Sequence, residues 1–211
     1  MKKTVIILFI LALTFVKSYA GNYETVMEEH IAKLYQTQNP TDLVALANTF
    51  ERIGEKETNK WLPFYYASYG TVSTLFFSPQ MSADEKNRQL DKAQEKLDKA
   101  MKLKSDESEN YALQALIYQM RITDPSLGQK YSTMAYEALA KAEILNPENP
   151  RVFYLKGTAL FYTPAQFGGG KDKAKPLFEK AARLFNAPSA MDTLAPNWGS
   201  YHNNMMLEQC K

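Results

Sequence analysis

MAYEALAKAEILNP, residues 134 to 147, sets alanine at 135, leucine at 139 and alanine at 142 ahead of a chain break at Pro147. Small, large and small at intervals of four and three fall on one face of a helix. The arrangement occurs twice more: Ala93, Leu97 and Ala100 before a turn at Ser105, and Ala174, Phe178 and Ala181 before Asn186. Two helices packed so closely that only alanine fits at two points, with a larger residue filling the next groove, need this pattern. The preceding helices offer the matching surface: Tyr111, Ala115 and Tyr118 in one, Phe153, Gly157 and Leu160 in the next.

Working outward from these triplets, apolar residues recur at helical spacing through most of the chain. The periodicity predicts helix pairs over about 23–57, 60–104, 107–146 and 150–185, with a capping helix over about 196–210. Pro40 separates the first two helices, and Thr41 or Asp42 is the expected cap of the second. Ser82 with Glu85 forms a capping box before the charged helix that follows. That helix mixes signs, with Asp84 to Arg88 and Glu95 to Lys99 at ion-pair spacing, and reads as a solvated outer face. The aromatic run from Trp61 to Phe77 is apolar all round and is expected to be buried.

The register of the triplets, the large-small-large surface on the first helices and the closing Pro147 resemble the tetratricopeptide repeat family, whose unit is a helix-turn-helix of 34 residues. The match is good over 107–185 and moderate over 60–106; over 23–57 it extends only to a helix pair. The second unit carries eight extra residues between its helices, and the third five. The resemblance implies an all-α fold of antiparallel helix pairs stacked as a right-handed superhelix, with a terminal cap. It also implies a concave groove lined by the first helices, to which Glu109, Ala112, Leu116 and Gln119, then Arg151, Tyr154, Thr158, Phe161 and Tyr162, would point.

PAQFGGGK, residues 164 to 171, invites comparison with a phosphate-binding loop. That loop needs Ser or Thr after its lysine and a strand before it, whereas here Asp172 follows and an amphipathic helix precedes. The segment reads as the turn between two helices, with Phe167 folded back on them; an anion nest at the next helix is the alternative. Catalytic chemistry lacks its usual groups. The two histidines, His30 and His202, stand near opposite ends of the sequence, there is one cysteine, and no HExxH, paired CxxC or GxSxG occurs. No enzyme, metal or cofactor is expected.

Residues 1–20 carry a basic start, a twelve-residue apolar run and small residues at Ser18 and Ala20, and read as a secretory leader cleaved after Ala20. The run is shorter than the roughly 20 residues a membrane span needs. Without the leader's three lysines, 22 basic side chains face 23 acidic ones. That balance removes the case for a nucleic-acid or anionic-membrane partner. Cys210 alone supplies no internal disulfide, so helix packing must hold residues 21–211, read as one domain.

Together these features lead to an exported, periplasmic or secreted, non-enzymatic interaction module that grips a protein or peptide of the cell envelope in its groove. The expected contact residues are Glu109, Gln119, Arg151, Tyr154, Thr158, Phe161 and Tyr162. The same aromatics could instead be core against the terminal helix around Trp198. The alternative function is a small-molecule binding protein serving an envelope transporter.

Overall fold

The computed structural model describes residues 23–187 and 192–211, so the leader expected over 1–20 lies outside the described residues. These contain nine α-helices, two single-turn 3-10 helices and no strand. Helix α1 covers 23–36. It is followed by α2 (Pro40–Lys56), α3 (Leu62–Phe76), α4 (Ala83–Leu103), α5 (Ser108–Met120), α6 (Gly128–Leu145), α7 (Pro150–Tyr162), α8 (Lys171–Phe185) and α9 (Ser200–Glu208). Packing is sequential: α2 on α3, α3 on α4, α5 on α6 and α7 on α8, with α9 on α8 and α5 also touching α7. No helix among the described residues is long and apolar enough to cross a membrane.

Local chemistry sets the boundaries. Asn39, not Thr41 or Asp42, caps α2: its side chain accepts from both of those amides, and Pro40 takes the first helical position, where its missing N–H costs nothing. The capping box of Ser82 and Glu85 is formed. Neither intrahelical pair expected along α4 is within ion-pair distance; Lys99 instead reaches 2.7 Å to Glu51 of α2, and Lys96 reaches 3.4 Å to the same carboxylate. A pair of cations joining two helices thus replaces a local ladder. The terminal helix begins at Ser200 rather than at 196. Gly199, at φ 104°, sits where its hydrogen faces Phe185 and Tyr154, and an added Cβ would lie 3.0 Å from the Phe185 ring.

All nine residues of the three triplets are 1 % exposed or less. The close approach they imply is visible at Gly157 of α7, where an added Cβ would lie 2.6 Å from the Phe178 ring of α8. One buried cluster runs from Met27 of α1 to Trp198, with Tyr65 and Tyr66 of α3 fully enclosed. Phe50 stacks on Tyr66 at 5.3 Å. Burial of α3 stops at its end, because Phe76 and Phe77 are exposed.

The glycine segment is a turn whose amides are occupied. The backbone N–H groups of Gly168, Gly169 and Gly170 donate to Ala165, Pro164 and Leu160, which leaves none of the three for an anion. Gly168 and Gly170 have φ of 85° and 106°, and a Cβ on Gly169 would lie 2.1 Å from the Thr163 carbonyl oxygen. Phe167 does not fold back; it projects outward, 75 % exposed. Gly169→Ala is expected to destabilise the chain by about 1 to 3 kcal/mol, because a backbone oxygen cannot yield as a side chain does. A urea melt showing no loss would mean that the turn adopts another geometry.

Candidate functional site

The face shared by α3, α5 and α7 is not open along its length. Residues 192–199 cross it as a strap, held by side chains of α1, α3 and α7. Tyr66 donates to the Leu194 carbonyl at 2.7 Å, the Asn197 amide donates to the Tyr35 hydroxyl at 3.2 Å, and the Trp198 indole N–H donates to the Tyr65 hydroxyl at 2.7 Å. The Trp198 ring stacks on Tyr69 at 5.3 Å with planes 18° apart.

Arg151 is the centre of this arrangement. Capped into position by Asn149 at the start of α7, it is 4 % exposed. One Nη donates to Glu109 at 3.0 Å and the other donates to the Pro196 carbonyl of the strap. The guanidinium lies between Trp198 and Phe185, at 5.3 and 5.7 Å from their rings. Burial pushes the Glu109 carboxyl upward, and the Arg151 charge opposes that shift. The sequence reading points Arg151 into a concave groove. Its charge is instead used inside the protein, and Glu109 is used with it.

The other expected contact residues divide. Gln119 donates to the Leu155 carbonyl and Thr158 to the Tyr154 carbonyl, so both tie up helix backbone. Ala112 and Leu116 are buried. Tyr154 and Phe161 pack against a small second cluster of Ala174, Phe178 and Met206, under α9. Tyr162 alone stands clear, at 71 % exposure, with its ring edge-on to Phe161 at 5.2 Å.

A surface that sequence reasoning missed lies where α9 meets the end of α3. Phe76, Phe77, Tyr201 and Met205 are exposed large apolar side chains. His202, exposed beside them, has its ring 5.8 Å from Phe76 and 5.6 Å from Tyr201. Asn203, fully buried, donates to the Phe178 carbonyl and fixes which side of α9 faces outward. Tyr201 and Met205, four apart, and His202 follow on the opposite side. The sequence signal was faint, since SYHNNMMLE has little apolar periodicity.

An open depression of about 440 Å³ also lies between α1 and α2, lined by His30, Lys33, Thr37, Asp42 and Thr49 among others. Its histidine is already engaged: Nδ1 lies 2.8 Å from the Val26 carbonyl and the ring meets Phe50 edge-on. Among the described residues no group of three or more His, Cys, Asp or Glu side chains is placed to hold a metal ion.

No protein-family model matches the chain, and no curated protein is similar to it. Among solved structures it is similar to the HusA haemophore from Porphyromonas gingivalis, at 34% identity and a TM-score of 0.80, over 90% of this chain and 92% of that one. This overturns the tetratricopeptide assignment and the protein-binding scaffold drawn from it. The alanine triplets are real packing contacts, but close helix packing needs them whatever the family. The match favours the small-molecule alternative.

Proposed function

The chain belongs to the family of the HusA haemophore, and from that membership we propose that it is a non-enzymatic haem carrier. The observation that carries this reading is identity above one third over nine tenths of both chains. We place the macrocycle on the exposed surface formed by Phe76, Phe77, Tyr201 and Met205. A porphyrin is a flat, largely apolar disc, and exposed rings at the junction of two elements suit its face better than they suit water. The buried residues of the expected groove have a supporting role in this reading. Arg151 and Glu109 hold the strap, Gln119 and Thr158 brace α5 and α7, and Tyr154 and Phe161 support α9 from beneath. Tyr162 is kept as an outlying contact. Export of residues 21–211 behind a leader at 1–20, and delivery to an envelope transporter, agree with a carrier's task.

Titration of the purified chain with ferric haem, followed by Soret absorbance and tryptophan quenching, tests this. Saturable binding is expected. The double variant Phe76→Ala, Tyr201→Ala is expected to bind about tenfold more weakly, each ring contributing about 0.5 to 1.5 kcal/mol. Its melting temperature should stay close to that of the parent, because both side chains are exposed. Absence of saturable binding by the parent would overturn the carrier reading, and equal binding by the variant would remove this surface from it.

A further inference from the structure

We propose that the tip where α7 turns into α8 docks on an anionic lipid surface, with Phe167 entering the headgroup layer and Lys171, Lys173 and Lys175 meeting the phosphates around it. The proposal stands on different observations from the haem-carrier reading. Phe167 is 75 % exposed, and not for want of order around it. The amides of Gly168, Gly169 and Gly170 all donate within the turn, the last of them to Leu160 of α7 at 2.8 Å, and the Thr163 carbonyl leaves no room for a Cβ at 169. The turn therefore holds a large apolar side chain in water in a set direction, an arrangement that hydration opposes. Tyr162, at the end of α7, is exposed as well, with its ring edge-on to Phe161. Single exposed rings are ordinary; two on one tip among unpaired cations mark a contact surface.

The charge around these rings decides what the surface fits. Without the leader the chain balances 22 bases against 23 acids, but the signs are unevenly placed. Residues 162–175 hold three lysines and a single acid, Asp172. Among the described residues none of the three lysines is in a salt bridge, and Lys171 lies 5.8 Å from the centre of the Phe161 ring. The end of α9 comes close, since the Cys210 thiol feels the charges of Lys171 and Lys175, but its acid, Glu208, is paired with Lys211. A lipid surface suits this tip better than a protein pocket does. Arginine is enriched and lysine depleted at protein interfaces, whereas all three cations here are lysines, compact and strongly hydrated charges on long stems. Such stems reach phosphate groups while the ring between them enters the layer below. A ring projecting from a rigid turn needs no matching cavity in a fluid layer.

The test is sedimentation of the full chain with vesicles of phosphatidylcholine alone, or with about one third phosphatidylglycerol. Binding to the anionic vesicles is expected, and it should weaken as salt is raised, because surface charge is then screened. The double variant Lys171→Gln, Lys173→Gln should partition at least about tenfold less, each lysine counting for about fivefold. Phe167→Ala should partition at least about fivefold less, for loss of its buried apolar area. Ile144→Ala, which removes an equally exposed side chain from α6, should bind as the parent does. In Phe167→Trp, bromine-labelled lipid chains should quench a share of the emission that the parent lacks. Circular dichroism of each variant should match the parent, since every replaced side chain is exposed. No binding to the anionic vesicles, equal binding to both vesicle types, or a Phe167→Ala variant that binds like the parent each overturns the proposal. Binding to native envelope membranes that protease treatment abolishes, without binding to the lipid vesicles, overturns it in favour of a protein partner.

Discussion

Trp198→Ala is expected to cost about 3 to 5 kcal/mol of folding stability, the range for removing a buried indole. The ring is 6 % exposed although it lies on a segment with no regular structure. It stacks on Tyr69, its N–H satisfies the enclosed Tyr65 hydroxyl, and its face covers the Arg151 guanidinium. Alanine removes all three contacts at once and leaves a cavity between α3 and α7. In a chain of this size, that loss lowers the melting temperature by about 2 to 4 °C per kcal/mol. Trp198→Phe separates the parts: stacking is largely kept and the donor is lost, so a smaller cost of about 1 kcal/mol is expected. Urea denaturation followed by circular dichroism at 222 nm reads both. A cost below about 1 kcal/mol for alanine would mean that the strap lies on the fold without supporting it. Loosening the strap should also weaken the proposed haem binding, because α9 follows directly after Gly199.

The helices were legible because their signal is local. Alanine at two points with a large residue between them records a close helix contact within eight residues of sequence, and burial of all three triplets follows. The strap was not legible for the opposite reason. Pro196, Asn197, Trp198 and Gly199 read locally as the start of a helix, and only contacts to α1, α3 and α7 hold them in an irregular course. The contact between Arg151 and Glu109 was hidden for the same reason. Glu109 and Arg151 both read as groove residues, but nothing in the sequence says that residues 42 apart pair with each other. The family assignment failed differently. The residues that suggested it report on packing distance, which different helical families share, while binding is carried by exposed side chains that packing leaves free.

Arg151→Met is expected to destabilise the chain by about 3 to 5 kcal/mol, because it leaves the Glu109 carboxylate in the interior without its counter-charge. Methionine fills much of the space of the arginine stem between Trp198 and Phe185, so the cost is chiefly electrostatic. Glu109→Gln leaves the reverse situation, a guanidinium with its Pro196 bond and its two rings but no anion, and should cost somewhat less. The double variant Arg151→Met, Glu109→Gln is expected to be more stable than the sum of the single losses by about 2 kcal/mol or more, since it buries no charge at all. Additive losses would show that the two side chains act independently despite their 3.0 Å contact. The pH dependence gives a second check with a definite sign. Burial raises the Glu109 carboxyl above its unfolded value, so the native state binds this proton more readily than the unfolded chain does. The group's contribution to stability therefore falls as pH rises through the interval between the two values. Glutamine does not titrate, so the cost of Glu109→Gln should accordingly grow as pH is lowered from neutrality towards about 4. A cost that shrank instead would mean that the ion pair holds the carboxyl below its unfolded value and that Arg151, rather than burial, governs its charge.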